Sequence, residues 1–130
     1  MSPKETSPVS TLQPDQCQLN LCVKVITQIM LGEVSDNASW VKVKVAEFLV
    51  GDASGCVILK AIDEQISLLV PQTTVLLQNA RIEMYRGFMR LIVDNNANGA
   101  IIPVDEGPES VNTDKNVSLV EYQYVPGICV

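Results

Sequence analysis

The sequence predicts an all-β fold, a small five-stranded Greek-key barrel with one short helix between strands three and four and an extra C-terminal strand. Two observations carry this. The first is alternation at a period of two, which sends successive side chains to opposite faces of a strand. Val41, Val43 and Val45 alternate with Trp40, Lys42 and Lys44; Val57, Leu59 and Ala61 with Ile58, Lys60 and Ile62; Met89, Leu91 and Val93 with Phe88, Arg90 and Ile92. The second is punctuation. Between residues 45 and 94 the strand-like runs are separated by the turn Gly51-Asp52-Ala53-Ser54-Gly55, one short amphipathic segment and the tight corner Tyr85-Arg86-Gly87.

The first strand is expected over residues 18–30, with Leu19, Leu21, Val23 and Val25 inward, and residues 31–39 read as a loop around Gly32, Asp36 and Asn37. Strand two, residues 40–50, breaks its own alternation, because Phe48 and Val50 fall out of step with Val41, Val43 and Val45. A bulge near Glu47 would reconcile the halves where the strand bends around a barrel. Strand three covers residues 56–62. Residues 63–69 form a short helical turn with Ile66 and Leu69 on one side, Asp63-Glu64 at its start in an N-capping position, and Pro71 as its stop. Strand four spans 73–84 and strand five 88–94. The run Asp94-Asn95-Asn96-Ala97-Asn98-Gly99 is turn chemistry, residues 100–104 are a further extended piece, and residues 118–125 have strand composition again.

The chain of 130 residues is long enough for one core and too short for two ordinary ones. Residues 1–16 are rich in Ser, Pro, Thr and Gln and are expected as a flexible tail, residues 17–104 as the barrel domain, 105–116 as an acidic linker, and 117–130 as the C-terminal strand and tail. No apolar run approaches the roughly 18 residues of a membrane span, and the N-terminus lacks the apolar core of a secretory signal. An intracellular protein, nuclear or cytoplasmic, is expected.

The net charge of −6 disfavours tight nonspecific binding of duplex DNA, but its distribution matters more than its sum. Residues 17–104 carry seven basic and eight acidic side chains, and the surplus lies later, in Asp105, Glu106, Glu109, Asp114 and Glu121. The four cysteines form no CxxC pair and the chain has no histidine, so neither a zinc site nor a Ser-His or Cys-His nucleophile pair can be assembled. Cofactor, metal and catalytic constellation are all expected to be absent. What remains is a strand surface that mixes cations with rings. Lys42, Lys44, Lys60 and Arg90 would track phosphates, and Trp40 and Phe88 would stack on bases of any sequence.

Three strands, a short helix and two more strands is the order of the OB-fold, a barrel used widely for oligonucleotides. The segments Leu49-Val50-Gly51-Asp52-Ala53-Ser54-Gly55, Ala61-Ile62-Asp63-Glu64, Val70-Pro71, Asn79-Ala80, Tyr85-Arg86-Gly87 and Met89-Arg90-Leu91 resemble, in order and spacing, the OB-fold single-stranded-DNA-binding proteins of the archaeal and eukaryotic type. That group includes the B subunit of the sensor-of-single-stranded-DNA complex and small plant OB-fold proteins, which share the Val-Gly-Asp turn and the late Asn116-Val117-Ser118-Leu119-Val120-Glu121-Tyr122 segment. The resemblance implies base stacking at positions that correspond to Ile62, Tyr85 and Ile92, of which only Tyr85 is aromatic here, with Arg86 next to it to hold the adjoining phosphate. The expectation is a non-enzymatic module for single-stranded DNA or RNA. The alternative is a protein-interaction or self-assembling module whose Ile58, Ile62 and Ile92 form an apolar patch for a protein partner or a second copy.

Overall fold

The computed structural model describes residues 6–35, 41–94 and 98–123. Strands β1 (Leu19–Ser35), β2 (Lys42–Asp52), β3 (Gly55–Ile62), β4 (Thr74–Tyr85), β5 (Phe88–Val93) and β6 (Ala100–Val104), with helix α1 (Gln65–Leu68) between β3 and β4, make up the fold. The sheet runs β1-β2-β3-β5-β4, and pairing of β4 with β1 closes it into a barrel. Inside lie Leu21, Val23, Phe48, Val50, Val57, Leu59, Val75, Leu77, Met89 and Leu91, all fully buried. Their spacing of two along each strand is the sequence alternation made solid, and each such side chain contributes about 1.5–3 kcal/mol by leaving water.

β2 differs from its expected facing. Its inward set is Ala46, Phe48 and Val50, while Val43 and Val45 are only half-buried and Val41 is exposed. No bulge interrupts β2, which pairs with β3 without a break from Val45↔Ile62 to Asp52↔Gly55. The irregularities sit across the ladder on β1, between Val25 and Thr27 and between Gln28 and Met30, where Ile26 and Ile29 are the extra residues. These bulges bend β1 over the barrel end, as extra residues in one strand do. Beyond them β1 continues to Ser35, where the sequence suggests a loop, and with β2 forms a two-stranded arm.

β5 and β6 lie along one edge of β4, running Ala80↔Val93 and then Gln78↔Ala100. They are in effect one strand interrupted by residues 94–99. Asn79, with φ 56°, provides the matching break in β4, and its N–H is held by the Asn20 side chain at 3.2 Å. The short helix is not capped as its sequence suggests. Asp63 adopts φ 48° and its carboxylate accepts the Lys44 N–H at 3.1 Å, while Glu64 makes no capping bond. The buried Gln65 side chain accepts from Ile62 N and donates to Val93 O, tying α1 to β3 and β5.

The chain ends also depart from expectation. In place of a flexible tail up to residue 16, Val9 and Leu12 are buried in the core, and Val9 N–H bonds the Asp52 carboxylate at 3.1 Å. Residues 105–116 are docked instead of forming a free linker. Asn112 N–H donates to Asp52 O, and Lys115 O accepts Cys56 N–H. The strand expected at 118–125 is, within the described residues, a 3-10 turn at Val117–Leu119 with a single bridge from Asn116 to Cys56; the additional strand is β6. This C-terminal strap fills the seam where β3 and β5 splay, since those strands pair only at Leu59↔Leu91 and Lys60↔Ile92. Ser118 Oγ accepts Ile58 N–H at 2.9 Å and donates to Met89 O at 2.7 Å, bridging the gap.

Candidate nucleic-acid interface

The outward face of β2, β3, β5 and β4 is built by register. Glu47 stands beside Lys60, Lys60 beside Ile92, and Ile92 beside Arg81. One row along, Arg90 faces Glu83, and at the corner Phe88 faces Tyr85. Opposite charges thus fall on diagonals. Arg90 Nε bonds Glu47 at 3.1 Å across β3, Lys60 reaches Glu83 at 4.0 Å, and Arg81 is held by Asp94 and by Glu83 at 3.3 Å. The hydrogen bond to Asp94 raises the Arg81 pKa further above its already high ordinary value. Three carboxylates balance three cations, so this part of the face is electrically neutral. Glu47, Arg81, Glu83 and Asp94 escaped the sequence reading. Arg81 and Glu83 share the odd parity of Tyr85 along β4, which is the signal that places them.

The corner is different. Arg86 (φ 52°) and Gly87 (φ 92°) are the two central residues of a hairpin closed by the Tyr85↔Phe88 pair, the type I′ geometry that matches strand twist. Gly87 meets two requirements at once, since a Cβ there would stand 2.7 Å from Tyr122 O. Its own carbonyl accepts Tyr122 N–H, so the strap ends against the corner. The turn throws Tyr85 outward. The residue is 53% exposed, with the Arg86 guanidinium 5.4 Å and the Arg90 guanidinium 5.8 Å from its ring centroid. Phe88, opposite, is half-buried.

Lys42 and Lys44 do not join this face. They have the parity of Ala46 and Phe48 and lie on the other side of β2, where Lys44 lines a groove of about 700 Å³ with Leu31, Glu33, Asp63 and Ile66. The single basic stripe expected from Lys42, Lys44, Lys60 and Arg90 is therefore split between two faces. Trp40 lies outside the described residues. The isoleucine patch does not form either. Ile58 and Ile92 are 9% and 8% exposed, one beside the strap and the other beneath the Lys60–Arg81 network, leaving Ile62 alone at 43%. Between those side chains is a cleft of about 130 Å³ lined by Lys60, Ile62, Gln65, Arg81, Glu83 and Asp94.

A closed Greek-key barrel of this strand order, with a short helix between strands three and four and a hairpin corner beside an open strand face, defines an OB-fold protein. The chain belongs to the family described as single-stranded DNA binding protein Ssb-like, OB fold, which it matches over residues 12–101. It is similar to an uncharacterised protein of Arabidopsis thaliana, 40% identical over 82 residues, a stretch covering 63% of this chain and about half, 52%, of that relative's length. It also resembles the solution structure of a hypothetical Arabidopsis thaliana protein, with TM-score 0.76, 33% identity, and coverage of 99% of this chain and 92% of that one. Among the described residues no helix is long and apolar enough to cross a membrane.

Proposed function

We propose that this protein binds single-stranded nucleic acid without strong sequence preference, through the Tyr85 corner and the adjoining face of β3 and β5, and that it performs no catalysis. The observation that carries this reading is the exposed Tyr85 ring with two guanidiniums in reach, Arg86 and Arg90. A base stacked on that ring would bring its phosphate toward Arg86, the one cation of the corner that among the described residues contacts a ring and not a carboxylate. Phe88 would extend the platform, and Lys60 and Arg90 would contact phosphates after exchanging their carboxylate partners. Lys42 and Lys44, with Trp40 next to them in sequence, would serve only a strand that wraps around the arm. Membership of a single-stranded-DNA-binding family supports the ligand class, and an intracellular location, nuclear or cytoplasmic, follows from that ligand.

The test is a titration of fluorescent oligo-dT, oligo-U and a duplex of equal length at two salt concentrations. Single strands should bind more tightly than duplex. The slope of log affinity against log salt should stay shallow, near that of one to three phosphate contacts at about 0.7 each. Binding of duplex as tight as that of oligo-dT would reject the reading.

A further inference from the structure

The β1–β2 arm has a consequence of its own. On its inner edge β1 is covered only as far as residue 26, where Gln72 N–H bonds Val25 O and the Gln72 side chain donates to Ile26 O at 3.3 Å. From Thr27 to Ser35 that edge has no main-chain partner among the described residues, while the other edge is paired with β2. An unpaired strand edge offers a row of N–H and C=O groups to another strand. Natural edges are usually blunted by lysine, proline or bulges, yet beyond the bulge at Ile29 the stretch Met30-Leu31-Gly32-Glu33-Val34-Ser35 has none of these. Its large apolar side chains are exposed, Leu31 at 59% and Val34 at 57%. Gly32 is the odd residue. Among the described residues nothing lies within 4 Å of where its Cβ would stand, and its φ is not positive, so no contact among them calls for glycine. Glycine within a strand often marks close approach by another backbone.

We propose that this edge pairs with the same edge of a second copy, antiparallel, with Gly32 on the two-fold axis. Rotation about an axis normal to the sheet keeps each side chain on its own face, so residues directly opposite must share parity and the axis must pass through a residue. Centred on Glu33, the pairing opposes two carboxylates; centred on Leu31, it runs into the bulge at Ile29. Centred on Gly32, it uses the regular stretch, sets Met30 against Val34 twice, and sets Glu33 against Leu31 while Lys44 stays beside Glu33 within each copy. The apolar side chains of residues 29–34 offer roughly 400 Å² per copy, about half the ~800 Å² per partner of a standard interface. A dimer of that size is weak and forms only at high protein concentration.

Sedimentation velocity of the full chain from about 10 μM to about 1 mM tests this. The mass should rise from 14.2 kDa toward double. Met30→Lys with Val34→Lys places like charges directly opposite twice and should hold the mass at 14.2 kDa throughout. Met30→Lys with Val34→Glu puts opposite charges at the same two contacts and should restore dimerisation. Because both positions are exposed, circular dichroism should be unchanged in either variant, and the second controls for folding of the first. Ile62→Glu, off the arm, should dimerise like the parent. A parent that stays monomeric at the highest concentration overturns the proposal. So does a dimer that survives the double lysine change, or a lysine–glutamate variant that stays as monomeric as the double lysine.

Discussion

Arg86 concentrates the tension between stability and function at the level of single residues. A non-glycine residue in the left-handed region costs roughly 1–2 kcal/mol, and Asn-Gly is what a type I′ turn prefers. Arg86→Asn is expected to raise stability by about 0.5–1 kcal/mol in urea denaturation while weakening strand binding and flattening its salt dependence by about one contact. Tyr85→Ala should cost about 1–3 kcal/mol of strand affinity and leave the melting temperature nearly unchanged, because the ring is exposed and its loss opens no cavity. A fall in melting temperature with undiminished affinity would make Tyr85 a piece of the barrel and not of the site. The thiols behave in the opposite way to the corner. Burial, and for Cys22 secondarily the Asp52 carboxylate, raises the pKa of Cys22 and Cys56, and their sulfurs lie against the carbonyls of Glu106 and Thr113. The folded state therefore holds these protons longer than the unfolded chain. Their contribution is complete at neutral pH and declines as pH climbs past the ordinary thiol value of about 8.5 toward the raised folded ones. Iodoacetamide at pH 8 should label exposed Cys17 first, half-buried Cys22 more slowly, and Cys56 only with unfolding.

Individual elements show what is legible in a sequence and what is not. The inward sets of β1, β3 and β5 follow directly from alternation, because one buried face fixes parity. The facing of β2 does not, since Val41, Val43 and Val45 look as inward as Phe48 and Val50 until the bulged partner strand is known. Taking those valines as inward sets Lys42 and Lys44 beside Lys60, a place that Glu47 holds in the structure. Docking of residues 6–16 and 105–123 was illegible for another reason. Much of it rests on main-chain groups, such as Lys115 O and Tyr122 N, which every sequence possesses. Side chains add to this: Val9, Leu12 and Val117 are buried, and the Ser118 hydroxyl joins Ile58 to Met89 across the splayed seam. Ser118→Ala leaves a buried donor and acceptor unmet and is expected to cost about 1–3 kcal/mol, read from the urea midpoint with the slope unchanged.

Across the whole molecule, charge cancellation sets the affinity. With Glu47, Glu83 and Asp94 occupying Arg90, Lys60 and Arg81, a nucleic acid gains little from these cations until the carboxylates are displaced. Glu83→Gln frees parts of two of them, and should tighten oligo-dT binding several-fold and steepen the salt slope by up to about 0.7. Unchanged affinity in that variant would mean the strand does not cross this face. The turn at Asp52, finally, takes one bond from each end of the chain, from Val9 N–H and Asn112 N–H, and the strap closes the seam beyond it. In kinetic terms this is a latch thrown late. The bond to Val9 joins residues 43 apart and that to Ser118 residues 60 apart, so the entropy of closing long loops must be met before either contact rewards the chain. Refolding should accordingly fall in the slow, millisecond-to-second range of high-contact-order barrels, and thermal opening should start with the strap lifting away while the β1–β2–β3 meander persists.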